Sequence, residues 1–153
     1  MDAVVAQAMA KWPNVPAVYG WLSLDRRGNW LIKGERIANR ALRDFISRNY
    51  ESDSAGRWYF QNGPQRVYVT LAYTPLVVHY EGEALRDHCG RAFAPGTEYV
   101  DDEGSVLVEG AGTIALLDDR DLARYAESEA SLQRINGADI QARFGFVKEP
   151  QPA

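Results

Sequence analysis

The sequence has a single cysteine, Cys89, and two histidines among its 153 residues. One thiol excludes an internal disulfide and any paired-cysteine metal motif, a pattern typical of chains kept in a reducing compartment. No apolar run approaches the roughly 20 residues needed to cross a bilayer, and the first charge, Asp2, has the wrong sign for a signal peptide. We therefore predict a cytoplasmic protein that does not associate with membranes.

Basic residues are in the minority, with 17 Lys and Arg against 21 Asp and Glu, which gives a formal net charge of −4. Proteins that bind nucleic acids neutralise phosphates with clustered Lys and Arg, so we expect no nucleic-acid partner. The phosphate-binding pattern GxxxxGK[ST], the GxSxG nucleophile elbow and the HExxH zinc motif are all absent. The sequence therefore predicts no cofactor and no metal.

Aromatic residues are plentiful, with four Trp, eight Tyr and five Phe. They supply large buried areas, and a chain of this length typically builds one stable hydrophobic core without disulfides or structural metal ions. We predict a single globular domain over residues 1–150, with a peripheral N-terminal helix within residues 1–13 and a flexible tail over 148–153.

The first half of the chain predicts a hairpin followed by a helix. A strand over 18–24 and a return strand from Trp30 are joined by a turn in which Gly28 adopts positive φ. Downstream, Ala38, Leu42, Phe45 and Ile46 recur at helical spacing, which predicts an amphipathic helix over 38–50.

Residues 57–80 predict a three-stranded meander. The segment 65–73 alternates strictly, with Val67, Val69 and Leu71 on one face. Asn62-Gly63 is a strong turn signal before it, and 76–80 supplies the third strand. Further along, we predict a strand over 86–92, a hairpin over 98–108, a helix capped by Asp118 and a last strand over 140–147. The class is α+β: mainly antiparallel hairpins and the meander, arranged like a split β-sandwich, with two or three packed helices.

Several of these segments together resemble a proteobacterial family of about this length whose function is uncharacterised. They lie between about residues 56 and 150 and include the meander segment 56–69, Tyr73-Thr74-Pro75, Arg120-Asp121-Leu122 and Phe144-Gly145-Phe146-Val147. The first half is similar to a second uncharacterised bacterial family, described as a split β-sandwich. These resemblances support the fold class and imply no activity, cofactor or catalytic residue.

The candidate ligand-binding residues are Gln61, Arg66 and Tyr68 on the outward face of the meander, together with His79 and His88. Arginine with aromatic and amide side chains is the mixture enriched at binding surfaces. The alternative is that Arg66 and Tyr68 are cross-strand partners on a half-solvated sheet, which is the interpretation we favour.

The leading functional prediction is a non-catalytic binding or accessory module for a protein or a small ligand. One alternative is a small enzyme with a site in an inter-sheet cleft, in which His79, His88 and Cys89 supply a thiolate nucleophile or a base. Another is a self-associating subunit, such as a homodimer, that pairs through an exposed strand edge.

Overall fold

The computed structural model describes residues 3–128 and 131–152, and it confirms the α+β class. The helices are α1 (Ala3–Ala10), α2 (Arg40–Arg48), α3 (Leu122–Ala126) and α4 (Ile140–Phe144), with short 3-10 turns at Asp119–Asp121 and Gly137–Asp139. The strands are β1 (Ala17–Leu24), β2 (Trp30–Ile32), β3 (Glu35–Arg36), β4 (Tyr50–Ser52), β5 (Trp58–Asn62), β6 (Gln65–Leu71), β7 (Leu76–Glu81), β8 (Ala84–Asp87), β9 (Ala92–Phe93), β10 (Glu98–Val100), β11 (Val106–Gly110), β12 (Thr113–Leu117) and β13 (Leu132–Arg134).

The strands form two sheets. Sheet 1 has the order β3-β2-β1-β6-β5-β4, and sheet 2 has the order β13-β10-β11-β12-β7-β8-β9. Most neighbours are antiparallel, as predicted, but β1 with β6, β12 with β7 and β10 with β13 run parallel. Each parallel pair joins segments far apart in the chain, so these are the pairings that local patterns do not reveal.

The predicted meander is wrong in its third strand. β5 and β6 pair as expected, but β7 leaves sheet 1 and pairs with β12 and β8 in sheet 2. The reason is that both sides of β6 are already occupied, by β5 on one side and by parallel β1 on the other. Beyond the β5 pairing, the Leu71 amide donates to the carbonyl of Lys148, so the end of β6 is also occupied.

One turn motif, Asp-x-x-Gly, closes hairpins at 25–28, 53–56, 87–90 and 101–104 in the described part of the chain. In each turn the glycine amide donates to the carbonyl of the aspartate, and the glycine has a φ between 79° and 85°. The aspartate Oδ1 accepts from the amides two and four residues ahead. The side chain thus satisfies turn amides that would otherwise lack partners, and glycine supplies the left-handed conformation.

Helix α2 packs on the inner face of sheet 1 and confirms the predicted amphipathic helix, although it ends at Arg48 because β4 begins at Tyr50. Asn39 caps it by accepting from the Leu42 amide. Phe45 meets Phe60 edge-to-face at 5.4 Å between ring centroids. The helix therefore covers part of sheet 1 and leaves the rest of that face to sheet 2.

Two further element predictions are corrected. Residues 140–147 contain helix α4 and no strand, because the 3-10 turn capped by Asn136 leads directly into a helix that Gly145 ends in the left-handed conformation. Residues 86–92 are the end of β8, the 87–90 turn and the start of β9. The N-terminal helix predicted within residues 1–13 is confirmed over Ala3–Ala10, and residues 1 and 2 lie outside the described part of the chain.

The two sheets meet where sheet 1 presents Trp30 and Tyr50. The Tyr50 hydroxyl donates to the carbonyl of Pro75 at 2.7 Å, and the rings of Trp30 and Tyr50 lie 5.1 and 5.4 Å from that of His88. The buried apolar side chains of both sheets belong to one continuous cluster. Among the residues that the structure describes, no helix has the length and apolar character needed to cross a membrane.

Candidate functional site

A two-lobed cleft opens where the 25–28 turn of sheet 1 approaches the end of β12 and the start of α3. The first lobe has a volume of about 410 Å³, within the range usual for small-molecule sites. Its floor is apolar and its rim is polar. The apolar residues are Ala72, Leu116, Leu117 and Leu122, and the polar ones are Asp25, Arg26, Arg27, Ser105 and Asp119.

The second lobe, of about 360 Å³, lies on the other side of Arg27 and is more polar. It brings together the two histidines of the chain with two arginines and two acids. The lining residues are Arg27, Gly28, Val77, His79, Tyr80, His88, Asp118, Arg120 and Asp121.

Arg27 lines both lobes, and Asp119 lines the first. Arg27 Nε donates to Asp119 Oδ1 at 2.8 Å and Nη2 donates to Oδ2 at 3.1 Å, a bidentate pair. The two side chains are 50% and 59% exposed, so the pair is solvated and weak enough to open.

The other acids of the cleft have structural partners. Asp118 caps the 3-10 turn before α3 and holds the Arg120 guanidinium at 2.6 Å. Burial raises the pKa of the Asp118 carboxyl, but the hydrogen bonds from Arg120 outweigh burial and hold that pKa below its usual value. Asp121 accepts from the Tyr80 amide, which ties the start of α3 to β7.

His88 forms part of the wall of the second lobe. Its Nδ1 accepts from the Val77 amide at 3.2 Å, so the neutral ring carries its proton on Nε2. Nε2 is buried and has no partner among the described residues. Burial, with a smaller contribution from Arg91, lowers the pKa of His88 to about 3. The ring is therefore neutral at physiological pH. It lines the second lobe as an uncharged wall residue and does not act there as a proton acceptor.

Cys89 does not pair with His88 as a catalytic dyad. The cysteine lies within the 87–90 turn and packs against the apolar core, and burial raises the pKa of its thiol to about 12. A nucleophilic cysteine needs the opposite shift, toward the thiolate. Within the described ranges, no three His, Cys, Asp or Glu side chains come close enough together to hold a metal ion.

We expect Cys89 to react slowly with iodoacetamide. At pH 8 a thiol with this raised pKa contains far less thiolate than an unperturbed cysteine, so alkylation should be more than about a hundredfold slower in the folded chain than in urea. Mass spectrometry of the alkylated fraction over time measures both rates. Comparable rates in the two states would show that Cys89 is accessible and activated.

Arg66 and Tyr68 lie on the outer face of sheet 1, away from both histidines. Tyr68 stacks on Tyr19 at 4.9 Å between ring centroids and meets its cross-strand neighbour Tyr59 edge-to-face at 5.8 Å. The guanidinium groups of Arg57 and Arg66 lie over Tyr68 and Tyr59 at 4.7 and 4.3 Å. These residues are one another's partners, as the cross-strand interpretation predicts.

Gln61 is also held by its own hairpin. Its side-chain amide donates to the carbonyls of Gly63 and Gln65 across the β5–β6 turn. The five candidate residues are thus divided between two places: His79 and His88 line the cleft, and the other three lie on sheet 1.

The residues that build the cleft are mostly ones that the sequence presents as turn or cap residues. Arg27 belongs to the 25–28 turn, and Asp119 and Arg120 follow the Asp118 cap. Their proximity depends on how sheet 1 meets sheet 2, which no local pattern encodes. The recurrence of Asp-x-x-Gly marks the turns, but it does not indicate which turn faces a cleft.

A larger groove of about 740 Å³ runs between the Trp12–Pro16 loop and the β5–β6 turn. Among the described residues that line it, none carries a charge, and most are Pro, Gly, Asn or apolar. It offers no charged group to orient a ligand, so the two-lobed cleft is the better candidate site.

The chain matches a known protein family over most of its length. A family profile described as "Protein of unknown function (DUF2946)" matches residues 1–134 of the 153. The chain belongs to the DUF2944 family. This confirms the resemblance to a family of uncharacterised function. The match also covers the first hairpin and helix, and it ends before the segment 144–147.

Two solved structures have a similar fold. A DUF1285 family protein from Silicibacter pomeroyi DSS-3 superimposes with a TM-score of 0.55 at 19% identity, covering 82% of this chain and 83% of that one. A DUF1285 family protein from Shewanella baltica OS155 gives 0.53 at 12% identity, covering 69% and 90%. At such identities the likeness concerns the fold alone. A comparison with curated proteins finds no match.

Proposed function

We propose that this member of the DUF2944 family is a non-catalytic binding module that holds a small ligand in the two-lobed cleft. The observation that carries the proposal is the composition of the first lobe, where an apolar floor at Leu116, Leu117 and Leu122 is bordered by the charged side chains of Arg26 and Arg27. A concave apolar pocket with a few convergent polar groups is the usual form of a small-molecule site.

The state of the titratable groups supports binding over catalysis. A general base works best with a pKa near the operating pH, whereas burial lowers the pKa of His88 to about 3. The carboxylates of Asp118 and Asp121 are engaged with Arg120 and with the Tyr80 amide. The cleft thus offers recognition groups, while Asp118, Asp121 and the buried His88 are engaged with neighbouring groups of the fold.

A ligand screen by thermal unfolding tests the proposal. A compound that binds the native state at a hundred times its Kd stabilises it by about 2.7 kcal/mol, which raises the Tm of a chain this long by roughly 5–10 °C. We expect Leu122→Glu, which places a charge on the floor of the first lobe, to abolish the shift produced by any such compound.

Leu132→Glu is the matched control, because Leu132 is exposed on β13 and lies outside the cleft. It should leave ligand-induced shifts unchanged. Both variants are compared with their own ligand-free Tm, so a loss of stability is separated from a loss of binding. Hits that survive Leu122→Glu, or a broad metabolite screen without hits, would contradict the proposal.

A further inference from the structure

We infer that the ligand of the cleft is an amphipathic monoanion, whose apolar body occupies the first lobe and whose carboxylate binds Arg26 and Arg27. This inference rests on the proposed function and adds the chemical class of the ligand.

The donors at the rim are largely uncommitted. A guanidinium has five N–H groups. Among the residues described, Arg26 donates one side-chain bond, to Ser105 Oγ at 3.1 Å, and its guanidinium lies 4.6 Å from the Tyr73 ring centroid. Arg27 donates two, both to Asp119. Several N–H groups of two adjacent arginines therefore remain for a ligand.

The acceptors at the rim are mostly committed. Asp25 Oδ1 accepts from the amides of Arg27 and Asn29, and its Oδ2 accepts from the Asn29 side chain. Those bonds hold the turn that carries both arginines, so Asp25 is not free to receive a cationic ligand. Asp119 is the one acid of this lobe whose described side-chain bonds all go to Arg27.

The floor of the first lobe favours a ligand with an apolar body. Ala72 is exposed and Leu122 is half-buried, and behind them lie the buried side chains of Leu116 and Leu117. No charged side chain stands on this floor among its described lining residues. An alkyl or aromatic body would remove apolar surface from water here, while its charged end stays at the solvated rim.

Asp119 is then an internal competitor for the arginine that the ligand needs. A carboxylate ligand would replace the Asp119 carboxylate in the same bidentate geometry on Arg27. This arrangement gives opposite expectations for the two partners. Removing the arginine weakens binding of the anion, whereas removing the aspartate strengthens it.

Isothermal titration with sodium octanoate, octylammonium chloride and octanol tests the inference. We expect octanoate to bind and octylammonium to bind at least about tenfold more weakly. Arg27→Gln should weaken octanoate binding about tenfold, through loss of a charge-assisted pair. Asp119→Asn should tighten it about two- to fivefold, the range for removing an exposed ion pair.

The i,i+4 pair of Arg40 and Asp44 on α2 provides controls with the same charge changes outside the cleft. Arg40→Gln and Asp44→Asn should leave the octanoate affinity within about twofold of the unmodified chain, which removes net charge as an explanation. Opposite effects of Arg27→Gln and Asp119→Asn cannot come from a general loss of folding.

Three outcomes would overturn the inference. If octylammonium or octanol binds as tightly as octanoate and Leu122→Glu abolishes that binding, the cleft is a ligand site and the predicted charge of the ligand is wrong. If Asp119→Asn weakens octanoate binding, Asp119 is a ligand contact and not a competitor. The third outcome is that none of the three probes binds, while other compounds raise the Tm of the unmodified chain and not that of Leu122→Glu. The proposed function would then be supported, and the amphipathic monoanion would be the wrong ligand class.

Discussion

Replacing Gly56 with alanine is expected to lower the free energy of unfolding by about 2–5 kcal/mol. Gly56 has a φ of 79°, a conformation that costs an alanine about 1–2 kcal/mol. A Cβ there would also stand 2.0 Å from the carbonyl oxygen of Gly145, so backbone must move, with a typical overpacking cost of about 1–3 kcal/mol. The clash lies where the Val147 amide donates to the Gly56 carbonyl.

Gly104 is the matched control for Gly56. It occupies the same position of the same Asp-x-x-Gly turn with a φ of 85°, but a Cβ built there meets nothing within 4 Å. Gly104→Ala should therefore cost only the conformational part, about 1–2 kcal/mol. Urea unfolding followed by tryptophan fluorescence gives both values. Equal losses in the two variants would show that the C-terminal segment does not pack on the 53–56 turn as described.

The second large effect is a loss of stability in mild acid that depends on His88. The unfolded chain binds a proton at His88 near pH 6.5, whereas burial lowers the pKa of the folded-state ring to about 3. Between these values the unfolded state holds more protons, so stability falls as the pH falls, by at most about 1.4 kcal/mol per unit. From pH 7 to pH 5 the free energy of unfolding should decrease by about 2 kcal/mol.

His88→Asn isolates this contribution. The Oδ1 atom of asparagine takes the place of the imidazole Nδ1 and can still accept from the Val77 amide, while the titrating group is gone. The variant should be less stable at pH 7 and should lose much less stability between pH 7 and pH 5. His79→Asn keeps the buried ring of His88 and should therefore still show the loss of stability that this ring causes between pH 7 and pH 5. A flat profile in the unmodified chain, or an equal slope in His88→Asn, would contradict the burial of this ring.

Local sequence patterns predicted the hairpins well because their determinants are adjacent in the chain. Gly28 and the Asp101 turn were assigned from a few residues, and the pairing of β10 with β11 confirms the second hairpin. The helix α2 followed in the same way from its apolar spacing. In each case the residues that decide the structure lie within about ten positions of one another.

The strand pairings that were predicted wrongly depend on segments far apart in the chain. The parallel pairing of β1 with β6 leaves no room for β7 in sheet 1, and β7 finds β12 about 40 residues further along. The 140–147 segment was assigned as a strand, whereas the Asn136 cap and the left-handed Gly145 define a helix there. Short apolar segments do not distinguish helix from strand without such flanking residues.

The candidate site was predictable only in part, for the same reason. His79 and His88 were singled out as rare polar residues, and they do line one cleft. Arg27 lies in the 25–28 turn, whereas Asp119 and Leu122 lie in the 3-10 turn and at the start of α3, and these segments meet only when the sheets pack together. Arg66 and Tyr68 were chosen for their chemistry, but their cross-strand stacking already accounts for them.

The most direct test of the central claim is to map the ligand site by the amide NMR signals of the isotope-labelled chain during a titration with octanoate. If the cleft is the binding site, the shifts should concentrate at Arg26, Arg27 and Gly28 and at the 118–122 segment, with little change at Arg66 and Tyr68. Saturable shifts on the outer face of sheet 1, with the cleft signals unmoved, would contradict a ligand site between the two sheets.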